Sequence, residues 1–277
     1  MYEQFTNIDS SEAFVDAIQR RNIEGITPLR AMNFASLLLS NNAPPNLLGR
    51  IAESLDYVSH NQFEEDLHFF SQELIQMIGN KPYVAALHKM GSNTWIMDNL
   101  IEQGLPKPKR SYSFENLSLA SNVPDKYSEI APLELIAEEQ NEGTLVLVPD
   151  DMSLTGVQMY DTLSSLHTLG NYEVLPAVLY GTNGSRLMLK RFGQTYTYRD
   201  VASYIDCFSR NDIAFLRELT IYYNGHEYGD LVREFNTVPF WTWFTVPDNI
   251  DATYANLEVA PLVNRDSIKP PYIRMNV

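Results

Sequence analysis

Apolar residues recur at three- and four-residue steps through the first 80 positions, the period of helices that bury one face. Phe63, Leu67, Phe70, Leu74, Met77 and Ile78 make one such stripe, which Gly79-Asn80 ends. Earlier, Asp9 and Glu12 stand at capping-box spacing ahead of Ala13, Phe14, Ala17 and Ile18. Thr27-Pro28 opens a second helix through Met32, Phe34, Ala35 and Leu37 to Leu39, broken by Asn41 to Pro45. A third helix is predicted from Leu47 to about Val58. Residues 1–80 read as a helical cap or subdomain.

The period changes at Tyr83. Tyr83 to Leu87 predicts a short strand, His88 to Asn93 a turn, and Thr94 to Gln103 a helix stopped by Gly104. Leu105 to Ile130 holds Pro106, Pro108 and Pro124 and shows no period, as in a long lid or linker. Thr144 to Val148 is a continuous apolar run, the mark of a strand buried on both faces. A helix from about Gly156 to Leu169 and a strand from Val174 to Tyr180 complete a βαβ unit, which implies a parallel sheet. Asp212 to Leu219 reads as a helix, and Thr220–Tyr223 and Phe240–Val246 as strands. The fold class is therefore α/β, with a helical part over 1–80 and an α/β domain over 81–277.

Composition narrows the function. The chain has 277 residues, 44% hydrophobic and 20% charged, enough for a sizeable core. Its net charge of −15 offers no polybasic face to a phosphate backbone, which argues against nucleic-acid binding. The first 80 residues contain no lysine and are the most acidic part, the natural place for a protein partner. No apolar run reaches the roughly 20 residues of a membrane span, and the polar start is unlike a signal peptide. The single cysteine, Cys207, suits a reducing compartment, so a cytoplasmic protein is expected.

The chemistry gathers in Leu145-Val-Leu-Val-Pro-Asp150-Asp151-Met152-Ser153-Leu154-Thr155-Gly156-Val-Gln158. A buried strand runs into two adjacent carboxylates, and Thr-Gly then opens a helix. Ligands of parallel sheets bind beyond the carboxyl ends of the strands. A helix amino terminus presents N–H groups and a positive dipole end to a phosphate, and a glycine lets the backbone approach it. Two carboxylates beside that turn suit sugar hydroxyls or, through water, Mg²⁺. Phosphate on one side and vicinal hydroxyls on the other describe a phosphorylated ribose.

This run resembles the signature of the type I phosphoribosyltransferases: four apolar strand residues, two acids, three variable positions, then Thr-Gly. The resemblance covers about 100 residues, from Tyr83 to Tyr180, and implies a parallel sheet of phosphoribosyltransferase type. It implies that Asp150 and Asp151 bind the ribose hydroxyls of phosphoribosyl pyrophosphate and its Mg²⁺. Met152, Ser153, Leu154, Thr155 and Gly156 would wrap the 5′-phosphate. Lys89, Gly91 and Ser92 would line the pyrophosphate loop, and Lys107, Lys109 and Arg110 would belong to the mobile lid. Family members are commonly dimers, so a homodimer is also implied.

Three positions depart from the family pattern. Gln158 stands where Thr or Ser is usual, Leu154 supplies no general base near a nucleobase, and Pro149 precedes the acids. The run Phe240–Asn249 resembles phosphoribosyltransferase-like domains of bacterial conflict systems. A non-catalytic sensor of nucleotides or sugar phosphates is the alternative, and an incidental strand-end turn or a receiver-type acidic pocket also fits the acids alone. His60, His68, His88, His167 and His226 lack metal-ligand spacing, and His88 alone lies beside the motif. Trp95, Trp241 and Trp243 read as core or wall.

Overall fold

Short polar side chains start the first helices. Ser10 Oγ accepts from the Ala13 N–H at 3.1 Å and opens α1 (Ser11–Arg20). Thr27 Oγ1 accepts from the Arg30 N–H at 3.3 Å and opens α2 (Pro28–Ser40), with Pro28 in its first turn. The cap of α1 is thus Ser10, one residue after the predicted Asp9. In this computed structural model the described residues are 8–23, 25–88, 92–114, 130–139, 144–154, 156–224, 240–242 and 262.

After α2 come α3 (Leu47–Ser54), β1 (Asp56–Val58), α4 (His60–Ile78), β2 (Tyr83–Leu87) and α5 (Ser92–Glu102). Next are β3 (Ser111–Ser113), β4 (Ala131–Pro132), a 3₁₀ segment (Leu133–Glu139) and β5 (Leu145–Ser153). Then follow α6 (Val157–Leu169), β6 (Glu173–Gly181), α7 (Asn183–Leu189), a 3₁₀ turn (Lys190–Phe192) and β7 (Tyr196–Asp200). Last are α8 (Tyr204–Cys207), α9 (Arg210–Asn224) and β8 (Phe240–Thr242). No described helix is long and apolar enough to cross a membrane.

The chain divides into two compact units, and the division differs from the 1–80 and 81–277 expectation. The first takes its described residues from 1–60 and 201–270. Phe14, Phe34, Leu38, Leu48 and Ile51 of its early helices share one core with Phe208, Leu216, Leu219 and Leu262. That shared apolar surface is why the distant segment belongs here. α3 stops at Ser54, short of the predicted Val58, because residues 56–58 leave to pair in parallel with 240–242. Val58 is fully buried in that pairing. α9 runs through Thr220–Tyr223, which read as a strand. Each added helical residue gains a hydrogen bond, and that propagation outweighs the local strand preference of Thr-Ile-Tyr-Tyr.

One ion pair ties α3 to α9. Arg50 Nη2 donates to Asp212 Oδ1 at 2.6 Å, and Ser209 donates to Oδ2 through its N–H at 3.0 Å and its hydroxyl at 2.7 Å. Burial alone would raise the Asp212 carboxyl, but these donors hold it below its ordinary value. A depressed carboxylate adds stability above its unfolded value, and loses it as pH falls through the lower folded value. Asp212→Asn is expected to lower stability by about 2 kcal/mol at neutral pH. Urea titration at pH 7 and in progressively stronger acid checks this, with the difference shrinking as the pH falls.

The second unit takes its described residues from 61–200. Its six strands are parallel in the order β4-β3-β2-β5-β6-β7, the parallel α/β sheet that the strand pattern predicts. Chain progress runs outward from β2 to β3 on one side and from β5 to β6 on the other. The order therefore reverses between β2 and β5, the position where such sheets bind ligands. Met159, Leu163 and Leu166 of α6 pack on Val84, Ala86, Tyr112, Val146, Val148 and Val178 of the strands.

Helix α4 joins this unit from Asn61 onward, although its sequence groups it with the earlier helices. Phe63 stacks on Trp95 of α5 at 5.4 Å between ring centroids, and Phe70 on Tyr196 of β7 at 5.8 Å. Asp66 accepts from the Tyr180 hydroxyl at 2.9 Å, from Gln62 Nε2 at 2.9 Å and from Arg199 Nη1 at 3.3 Å. The predicted stripe is thus corrected at one place. Met77 is 45% exposed, while Asp66 and Ser71 are buried with hydrogen-bond partners.

Candidate functional site

β5 is longer than its apolar run, because it continues through both acids to Ser153. Its ladder to β2 ends at Ala85↔Leu147, whereas the ladder to β6 continues to Ser153↔Gly181. Pro149 is tolerated because the strand has one ladder neighbour at that point. Where β2 stops, α5 takes its place. Asn93 Nδ2 donates to Pro149 O at 2.9 Å and to Asp150 Oδ1 at 3.1 Å.

The two acids are costly neighbours. Asp150 and Asp151 are each 6% exposed. Burial, then the Asp151 charge and a hydrogen bond shared with its carboxyl, push Asp150 well above the usual carboxylate range. The bonds from Asn93 and the Met152 N–H oppose that rise. Two buried carboxyls sharing a hydrogen bond are a hard-oxygen donor set that a divalent cation relieves, so they fit Mg²⁺. Among the described residues no third acidic, histidine or cysteine ligand completes a metal cage. Mg²⁺ suits such sparse sites, since it commonly keeps its waters and takes substrate phosphates.

The turn into α6 is shaped by Gly156. Its φ of +79° is left-handed, and a Cβ there would lie 3.2 Å from Ser185 Cα and 3.2 Å from Ser185 O. Thr182, just past β6, holds the same turn from beneath: its Oγ1 donates to Leu154 O at 2.6 Å and accepts from the Ser185 N–H at 3.0 Å. Ser153 Oγ lies 3.2 Å from Ser185 Oγ. Thr182→Val would strand the Leu154 carbonyl and the Ser185 N–H, at a cost of about 1–3 kcal/mol. A lowered urea midpoint with unchanged m value is the expected measurement.

The predicted site residues are partly brought together. Asp150, Asp151, Met152, Ser153, Leu154, Gly156 and Gln158 surround one strand end, and Ser92 begins α5 across from it. Ser153 and Leu154 are buried, Met152 is half-buried and Gln158 is exposed in the first turn of α6. Lys89, Gly91 and Thr155 lie outside the described residues, as does most of the expected lid. Lys107, Lys109 and Arg110 precede β3, at the edge where the strands begin: the Lys109 N–H donates to Tyr83 O at 2.9 Å, and Arg110 O accepts from Ala85 at 3.0 Å. In a parallel sheet that edge is opposite the acids, so these cations are not beside them. His88, at the end of β2, places Nδ1 3.0 Å from Thr162 Oγ1 of α6.

Sequence reading missed Asn93, Thr182 and Ser185. Thr182 and Ser185 have cap spacing, a usable signal. Asn93 has none, because its partner is 57 positions away. A cavity of about 590 Å³ lies near the carboxyl end of α6, bordered by His167, Arg191 and Phe192. No acid lines it among the described residues, and its Arg191 is already engaged by the Tyr160 ring at 4.0 Å and by Ser164 at 3.3 Å. The candidate chemistry is at the opposite edge.

Over about half of its length, the chain is similar to solved phosphoribosyltransferases. The xanthine-guanine-hypoxanthine phosphoribosyltransferase of Helicobacter pylori is 13% identical, with 53% of this chain and 85% of that one covered at a TM-score of 0.34. Orotate phosphoribosyltransferase of Mycobacterium tuberculosis, in complex with inorganic phosphate, is 16% identical over 48% and 70% at a TM-score of 0.30. A hypothetical protein from Neisseria gonorrhoeae with bound ppGpp is 14% identical over 58% and 94%, at 0.37. No family model and no curated protein matches the sequence.

Proposed function

We propose that the protein binds phosphoribosyl pyrophosphate, or a related ribose phosphate, with Mg²⁺ and transfers the phosphoribosyl group to an acceptor. One observation carries this reading: two buried acids at the reversal of strand order, followed at once by a left-handed glycine opening α6. Asp150 and Asp151 would hold Mg²⁺, which supplies charge neutralisation to a pyrophosphate leaving group when bound. The same carboxylates accept from the ribose hydroxyls and stabilise positive charge growing on the sugar ring. The start of α6 offers its N–H groups to the 5′-phosphate. Lys89, Gly91 and Ser92 are assigned to the pyrophosphate side.

The second reading, a non-catalytic sensor, is favoured by Leu154. It is buried and supplies no base to a nucleobase acceptor. Calorimetry with phosphoribosyl pyrophosphate and Mg²⁺ tests the binding, and pyrophosphate release across a panel of bases separates enzyme from sensor. No heat with the wild type overturns the first reading. We assign the protein to the cytoplasm, its acidic amino-terminal part to a protein partner, and its quaternary state to a homodimer, which sedimentation checks.

A further inference from the structure

We propose that Asn93 is the positioning residue of the acidic pair, a role that rests on the ligand-binding reading of Asp150 and Asp151. Asn93 is 3% exposed, so its amide is committed to the interior. Its Nδ2 spends both N–H groups on one stretch of β5, at 2.9 Å on Pro149 O and 3.1 Å on Asp150 Oδ1. On this side of β5 the ladder to β2 has already ended at Leu147. The Asp150 carboxyl accepts from Asn93, and the Met152 N–H and the Asp151 carboxyl also act on it. Among the described residues, Asn93 is the side chain that donates to it at 3.1 Å.

The residue type matters. An aspartate at 93 would bring a third carboxyl without a donor, and a leucine would keep the volume without one. Without the donor, Asp150 turns toward the hydrogen bond it shares with Asp151, and an incoming cation or ribose must break that bond first. With it, Oδ1 of Asp150 is fixed on Asn93. Because Asn93 lies in the first turn of α5, the same bond also ties the start of that helix to the acids.

The test is calorimetric titration of phosphoribosyl pyrophosphate with excess Mg²⁺ into wild type, Asn93→Leu and Asn93→Ser. Asn93→Leu is expected to raise Kd about 10- to 100-fold at unchanged stoichiometry, as loss of a group orienting a ligating carboxylate does. Asn93→Ser, which keeps a shorter donor, is expected to fall between leucine and wild type. A purely structural role predicts lower stoichiometry at wild-type Kd, because only the folded fraction changes, and that result overturns the proposal. So does a Kd within twofold of wild type in Asn93→Leu. If the leucine variant does not fold, Asn93→Ser decides alone, by a Kd raised at least threefold or not. An absence of binding in the wild type removes the ligand-binding reading and this role with it, and is recognised before any variant is measured.

Discussion

Asp150→Asn and Asp151→Asn are each expected to weaken phosphoribosyl pyrophosphate binding while raising the melting temperature of the ligand-free protein. The two effects share one cause. The carboxyls are buried side by side, and burial together with their mutual repulsion makes ionisation of Asp150 unfavourable. An asparagine at 150 can still accept from Asn93, and its own amide can donate to the Asp151 carboxylate, so repulsion becomes a charge-assisted hydrogen bond. A gain of about 1 kcal/mol would raise the melting temperature by roughly 2–4 °C in a protein of this size. Each loss of a charged acceptor should weaken binding about 10- to 100-fold, the worth of one charge-assisted hydrogen bond. Scanning calorimetry and ligand titration on the same samples check both. A fall in melting temperature for both variants would show that the acids are held for structure, and would sink the functional reading.

Gly156→Ala carries the second large effect, expected as a loss of about 2–3 kcal/mol of stability together with loss of binding. Two penalties combine there. A φ of +79° strains any residue with a Cβ, by about 1–2 kcal/mol. The new Cβ would also meet backbone atoms of Ser185 at 3.2 Å, which cannot rotate aside. Relief requires α7 to move from the turn that holds Leu154 and Ser153, so the damage reaches the acids. Gly193→Ala is the control. Its φ is +112°, but nothing lies within 4 Å of the added carbon. It should cost strain alone and leave ligand binding at the wild-type level, as urea titration and calorimetry would show.

The candidate site was legible to the extent that its residues are consecutive. Asp150, Asp151 and Gly156 fall within seven positions, at one strand-to-helix junction. Asn93 was not legible, nor was the support from Thr182 and Ser185, because those contacts join separate elements. The basic trio at 107–110 shows the opposite error. The family resemblance implied a lid position, yet the register of β3 on β2 sends those residues to the far edge of the sheet.

The same division runs through the fold. Period and caps alone determined α2 to within its first residue, the stripe of α4, the strand β2 and the βαβ unit around β5, because those signals depend on neighbours three or four positions away. Tertiary structure alone decided that residues 56–58 leave the third helix for residues 240–242. It also decided that α4 belongs with the sheet. Burial of Phe63 against Trp95 and of Phe70 against Tyr196 settles that placement, and no local pattern records which partner a buried face will find. The order of strands is of the same kind. Sequence spacing implied parallel pairing, but only the pairing itself put the reversal between β2 and β5, and with it the two acids, at one edge.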